Sequence, residues 1–314
     1  MRCHLSALCV MILVCLSAPL PAQDVKKAIL DYFRKPSSAS DTARPVLSDS
    51  DKSKLLNKLR HRLPDRLKGA TDALQPISLE HEISIGRQIA GNLLGAAALV
   101  DDDGLQTYIN KIGRWVADQS ERPELPWHFG VLDSHDVNAF AAPGGYIFVT
   151  RGLYSLLQNE AELAGVLGHE IGHVIRRHHL KVLQQSRLLD LGRQIIPKKI
   201  TDNAFAQSLI GQGAEIVSRA LDQNAEFEAD RLAVILTARA GYDAFALPAV
   251  LQQIGHVSRD HDRVALLFKT HPHPDTRLQK LDARLGDRLD HLKGRTLPNR
   301  LYHLKPAKTT KPGK

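Results

Sequence analysis

The sequence predicts an α+β domain, mainly helical with a small sheet, and three observations predict it. Several stretches repeat their apolar residues at helical spacing: "ISLEHEISIGRQIAGNLLGAAALV" (77–100), residues 159–179 and residues 222–240. Two short β-prone stretches, "WHFGVLDS" (127–134) and the run Tyr146–Thr150, lie close together with a Pro-Gly-Gly turn before the second. One of the helical stretches carries the string H-E-x-x-H.

The chain has 314 residues, 43% of them hydrophobic, which suffices for a sizeable core. Its first residues, "MRCHLSALCVMILVCLSAPLPAQD", have a basic start, an apolar run from Leu5 to Leu16 and a Pro- and Ala-containing end near Ala22. That pattern reads as a secretory signal peptide over 1–22 and predicts a periplasmic protein. All three cysteines (Cys3, Cys9, Cys15) fall in this leader, so disulfides are excluded from the mature chain. The apolar run is short for a membrane span, and nothing after it approaches spanning length. The formal charge of +8 is spread along the chain and continues into the tail "LKPAKTTKPGK". No basic motif is interleaved with aromatics, so nucleic acid is not an expected partner.

Residues 23–76 read as an N-terminal helix, "VKKAILDYFRK", a linker, "PSSASDTARPVLSDSD", and a second helical stretch near 52–63. The compact domain is expected over 77–285. Its first helix holds His81 and Glu82, a false start because Ile85 stands where a second histidine would be needed. "GLQTYINKIGRWVADQS" (104–120) is the next helix, followed by the two strands. The helix at 159–179 has Glu160 and Glu162 in its first turn and Arg176 and Arg177 in its last, as the helix dipole favours. Residues 183–221 are less regular, and a further helix runs from Asp222 to Ala240 and stops at Gly241. After "THPHPDTRLQKL" (270–281), residues 286–314 read as a basic tail, with no helical repeat array.

The chemistry centres on "GVLGHEIGHV" (165–174). His169 and His173 are four apart, hence on one helical face, and can direct both imidazoles at one ion. Glu170 sits beside that ion, where a base for the attacking water belongs. Zinc in a catalytic site takes three protein ligands, so a third is required. "NAEFEADRLAV" (224–234) offers Glu226 or Glu228, which lie about 200° apart around a helix and cannot both face the ion. Glu226 is favoured, because Asp230 one turn later could then accept a hydrogen bond from a ligand imidazole. His178 and His179 fall off the motif's face and read as surface residues, and His256, His261 and His273 fit no pattern.

Four motifs in order, "VNAFAAPGGYIFVTRGL", "EAELAGVLGHEIGHVIRRH", "EFEADRLAV" and "HPHPDTR", resemble the HtpX-like zinc metallopeptidases, a family that includes the CAAX prenyl endopeptidases. The resemblance covers about residues 77–285, and the family's exported periplasmic branch is the better comparison. It implies a zincin-type gluzincin, with one Zn2+ held by His169, His173 and Glu226 and with Glu170 as general base. It also implies that the strand from Gly145 through Tyr146, Ile147, Phe148 and Val149 is a sheet edge facing the active-site cleft. Substrate backbone would add there as an extra strand, with Asn138 nearby. His271 and Arg277 match the family's H-P-x-x-x-x-R element. His271 is expected either to take the zinc's fourth position at rest or to help hold the oxyanion, with Arg277 orienting it or the substrate.

The expectation is therefore a zinc-dependent endopeptidase of the bacterial periplasm, acting on unfolded or misassembled envelope polypeptides, with residues 183–221 as a lid. Outer-membrane assembly machinery is the further partner the resemblance implies. The competing expectation is an assembly factor or chaperone that holds clients on the same edge strand and seldom cuts them.

Overall fold

The computed structural model describes Lys54, Asn57 and residues 75–184, 221–256 and 262–304. The expected signal segment, nearly all of the N-terminal helices and linker, the bulk of the expected lid and the end of the basic tail lie outside these residues. Two compact units divide the chain: Met1–Ile77 with Gln184–Lys199, and Ser78–Leu183 with Ile200–Lys314. In the first, the Gln75 side-chain amide donates to Asn57 Oδ1 at 3.0 Å. Everything below concerns the second.

That unit opens with α1 (Leu79–Ala96) and α2 (Asp103–Ala117), whose N-caps are Ser78 and Asp102. Each cap side chain accepts a backbone N–H of the first turn, which satisfies donors that the helix leaves free. The strands β1 (His128–Leu132), β2 (Ala139–Ala142) and β3 (Tyr146–Thr150) follow. Short α3 (Arg151–Tyr154) leads into α4 (Glu160–Ile175). Then come α5 (Gln223–Arg239), α6 (Ala246–Gly255), α7 (Asp262–Thr270), α8 (Pro274–Leu285) and two 3-10 turns, Gly286–Leu289 and Pro298–Arg300. Mainly helical with a small mixed sheet, the architecture is the α+β class that the periodicities predict.

The sheet order is β1-β3-β2, with β1 parallel and β2 antiparallel to β3. In register, Gly130 faces Phe148 from one side and Phe140 faces it from the other. This corrects the expected edge. Gly145 also accepts from the His128 N–H, so the backbone from Gly145 through Tyr146, Ile147, Phe148 and Val149 is hydrogen-bonded from both sides or sits at the turn. Among the described residues, the strand with an unpaired edge beside the cleft is β2. The turn between β2 and β3 needs Gly144 and Gly145, at φ of 74° and 100°, values that side chains rarely adopt.

Helix α4 is the axis of the core, with every residue from Glu160 to Ile175 buried. Asn159 caps it by accepting from Glu162 N at 2.9 Å, and the Glu162 carboxylate accepts in return from Gln158 N. Fully buried Leu163, Leu167 and Ile171 each contribute about 1.5–3 kcal/mol by leaving water. Against this axis α5 packs very closely. A Cβ at Gly168 would lie 3.2 Å from the Ala233 Cα, and one at Gly172 would lie 3.1 Å from the Ala229 Cα. The glycines flanking His169 and His173 are therefore what let a second helix reach the motif. Part of the basic tail also packs on this core, with Leu301 buried and Tyr302 donating to Asp102 Oδ1 at 3.0 Å.

Candidate metal centre

His169 and His173 project from α4 on one face, with their Nε2 atoms 3.0 Å apart. From α5, Glu226 brings its carboxylate to the same place: Oε2 is 3.6 Å from His169 Nε2, and Oε1 is 3.5 Å from His173 Nε2. His271, between α7 and α8, places Nδ1 2.6 Å from Glu226 Oε2. One ligand atom from each of these four residues lies within 4.8 Å of the others, a grouping that can hold a metal ion. All four come from motifs singled out in the sequence, and Glu226, not Glu228, is the carboxylate that faces the histidines.

The donor set itself demands a cation. His169 Nδ1 lies 2.9 Å from Asp230 Oδ1 and 3.2 Å from Arg277 Nη2; with its proton on Nδ1, facing the carboxylate, its Nε2 keeps a lone pair. His173 Nδ1 lies 2.9 Å from His178 Nδ1, and when it donates there its Nε2 is likewise left with a lone pair. Glu226 Oε1 is buried and has no hydrogen-bond partner among the described residues. Two imidazole lone pairs beside an unpartnered carboxylate oxygen repel unless positive charge sits among them. Without a metal, a proton does part of this work. Burial and then Arg277 lower His169, but its contacts with Asp230 and Glu226 outweigh them and bring it up to about 9. Burial opposes ionisation of Glu226, yet His271, His173 and His169 hold its pKa well below the usual carboxylate range. His173 itself is driven well down by burial.

Arg277 is buried on α8, and its Nε donates to Asp230 Oδ2 at 2.9 Å. Burial works against the Asp230 carboxylate, but the Arg277 guanidinium and then His169 push its pKa down to about 2. The guanidinium thus braces the carboxylate beside His169, with its Nη2 also 3.2 Å from His169 Nδ1, and it lines a cavity together with Glu170 and His271.

Glu170 follows His169 and lines the cleft together with His173, Glu226, His271 and the β2 residues Ala139, Phe140 and Ala141. Burial, the largest influence on it, raises its pKa. Asn138, just before β2, is fully buried, and both atoms of its side-chain amide lack a partner among the described residues.

His178 and His179 require a correction, because neither is a surface residue: they are 4% and 6% exposed. Helix α4 ends at Ile175, and Arg177 takes a left-handed conformation (φ 55°) before the chain turns helical again at 178. That break reverses the direction of the next side chains and folds both imidazoles back beside His173. The expected uninterrupted helix to His179 points them outward. A helix dipole argument rewards arginines at this position whether or not one of them is left-handed, so the break carries no sequence signal.

A metal-binding H-E-x-x-H helix with a carboxylate from a second helix and a small sheet over the cleft defines a metallopeptidase-type centre. Comparison with known proteins gives the same class: the model for peptidase family M48 matches residues 104–285, and the chain belongs to that family. The beta-barrel assembly-enhancing protease of Yersinia pestis is 32% identical over 222 residues, 68% of this chain and 45% of that protein. Its namesake in Escherichia coli (strain K12) is 30% identical over 230 residues, 71% of this chain and 46% of that one. The mitochondrial metalloendopeptidase OMA1 of Arabidopsis thaliana is 28% identical over 174 residues, 55% of this chain and 35% of the relative. The chain thus spans about half the length of the assembly-enhancing proteases it matches. Among the described residues, no helix is long and apolar enough to cross a membrane.

Proposed function

We propose that the chain is a zinc-dependent endopeptidase that cuts extended segments of unfolded or misassembled envelope proteins in the bacterial periplasm. The observation that carries this reading is the convergence of His169, His173 and Glu226, with its unpartnered Oε1, beside buried Glu170. A bound zinc, which two imidazoles and one carboxylate suit, would polarise the scissile carbonyl and acidify the attacking water. Glu170 takes the proton of that water and passes it to the leaving amine. Its burial raises its proton affinity, which makes the ionised carboxylate a better base. His271 lies against Glu226 on the cleft side, where it can either cover the ligand set at rest or turn to the substrate's oxyanion.

Substrate selection follows from β2. Its unpaired edge forms one wall of the cleft, and an extended chain adding to it would be held by main-chain hydrogen bonds that demand no particular sequence. Residues 1–22, read as a secretory signal, support a periplasmic site of action. A second reading is favoured by the names of the assembly-enhancing relatives: the chain would hold outer-membrane β-barrel clients on β2 and assist their assembly, together with the assembly machinery.

Casein cleavage by wild type and Glu170→Gln at matched zinc occupancy separates the two. Cleavage by the wild type alone establishes the peptidase and its base. Failure of both to cleave, with one zinc bound to each, would overturn the peptidase reading in favour of the holding one.

A further inference from the structure

The metal ligands are supported in different ways. His169 leans directly on a carboxylate, Asp230, which Arg277 neutralises. His173 leans on another imidazole. Its Nδ1 lies 2.9 Å from His178 Nδ1, with the two rings nearly perpendicular at 71° and their centroids 5.1 Å apart. Behind His178, its Nε2 lies 3.4 Å from Glu228 Oε2, and Glu228 Oε1 is 3.0 Å from Arg176 Nε. Arg176 in turn donates to both oxygens of Glu121, at 2.6 and 3.1 Å.

Proton positions along this row are fixed by elimination. If His173 offers Nε2 to the metal, its proton sits on Nδ1, and among the described residues the lone pair of His178 Nδ1 is what accepts it. His178 then carries its own proton on Nε2, facing the Glu228 carboxylate. Glu228 thus works one imidazole removed from the ligand.

The backbone holds His178 in place by an unusual device. Arg177, at φ 55°, turns the chain back, and its Nε pairs with Glu82 Oε2 at 3.0 Å. Glu82 is fully buried and also accepts from both terminal nitrogens of Arg122, at 2.8 and 3.0 Å. The glutamate of the false start in α1 therefore anchors the break that aims His178.

We infer that His178 is a positioning residue for the metal centre: it accepts the hydrogen bond from His173 Nδ1 and, backed by Glu228, fixes the ring whose Nε2 faces Glu226 and His169. The inference rests on the metalloenzyme reading above, but it predicts a metal affinity and needs no catalysis to be tested. Partners of this kind hold the tautomer and angle of a ligand, and their loss weakens metal binding about 10- to 100-fold.

The test compares zinc affinity, by competition with a chelating dye at neutral pH, for wild type, His178→Phe, His178→Asn and Glu228→Ala. Phenylalanine fills the space without an acceptor, whereas asparagine restores an acceptor oxygen close to the place of Nδ1. His178→Phe should bind zinc about 10- to 100-fold more weakly, and His178→Asn within about threefold of wild type. The visible spectrum of the cobalt-substituted protein should change in the Phe variant and return towards wild type in the Asn variant. Wild-type affinity in His178→Phe, or equal weakening in Phe and Asn, would overturn the inference, the latter by reducing His178 to a packing residue. Should the Phe variant not fold, Glu228→Ala at the half-exposed end decides: a several-fold loss of affinity supports the relay, and an unchanged affinity overturns it. Wild-type protein that binds no zinc would overturn the metalloenzyme reading itself.

Discussion

Replacing Asp230 with asparagine tests whether the pair it forms with Arg277 organises the site. The carboxylate is 2.9 Å from Arg277 Nε and 2.9 Å from His169 Nδ1, and both Asp230 and Arg277 are buried. The carboxyl is held down to about 2 against an ordinary 3.8, so its surroundings favour the charged form by roughly 2–3 kcal/mol. Because the folded pKa is the lower one, this stability is present above the unfolded value near 4 and is lost as the pH falls through about 2. Asparagine also strands the guanidinium in the interior, and breaking a buried pair from one side costs about 3–5 kcal/mol. The second effect is larger because it counts the stranded charge, so Asp230→Asn should lose about 3–5 kcal/mol in urea unfolding of the metal-free protein at pH 7. The double variant Asp230→Leu/Arg277→Met, which removes both charges, should be the more stable of the two. A loss below about 1 kcal/mol in Asp230→Asn would refute the reasoning, since it would mean that Arg277 finds another partner.

Two further perturbations probe the helix seam and the histidines. At Gly172 an alanine gains about 1 kcal/mol of helix propensity but puts its Cβ 3.1 Å from backbone that cannot rotate away, and overpacking costs about 1–3 kcal/mol. Gly172→Ala should therefore be neutral to about 2 kcal/mol less stable and bind zinc more weakly as α5 shifts, whereas Gly91→Ala on α1, whose Cβ would meet nothing within 4 Å among the described residues, should gain up to about 1 kcal/mol. Wild-type zinc affinity together with raised stability in Gly172→Ala would show that the seam has slack. In metal-free protein, burial lowers His178 and His179 to about 4, so each contributes stability above its ordinary 6.5 that is lost as the pH falls towards 4. The slope is up to about 1.4 kcal/mol per pH unit for each. His169, raised to about 9, acts in the opposite direction, contributing stability below 6.5 that is lost as the pH rises through 9. Urea midpoints in chelator should thus fall from pH 7 to 5, and a flat profile there would contradict the burial of the two histidines.

What the sequence reveals and what it hides divide along physical lines. The spacing of His169 and His173 and the stop at Gly241 are local, and α5 and the start of α4 form where periodicity places them, whereas α4 ends at Ile175, four residues before the expected His179. Selecting Glu226 over Glu228 was possible because side-chain direction around a helix is also local. The sheet edge was not legible. Tyr146–Thr150 is rich in β-formers, which marks a strand but not its neighbours, while "AFAA" of β2 is alanine-rich and reads weakly as a strand. Central position comes from pairing with β1, eighteen residues upstream in register, and no propensity encodes it. The fate of His178 depended on one left-handed arginine, held by a glutamate from a distant helix.

Eight ionisable side chains, those of His169, Glu170, His173, His178, His179, Glu226, Asp230 and Arg277, are buried around one end of α4. Taking so many polar groups out of water is tolerated only when they bond to one another, and a partly satisfied network is worse than an apolar core. Away from the cleft this network is closed: Arg277 and His169 complete Asp230, and Glu228 stands behind His178. Of the eight side chains, only Glu226 Oε1 and His179 Nδ1 are buried atoms without a hydrogen-bond partner among the described residues. Both residues line the cleft. Asn138 beside β2 and Thr237 on α5 also leave buried polar atoms bare, but of the eight side chains around the motif both bare atoms belong to cleft-lining residues, which supports the cation proposed at Glu226.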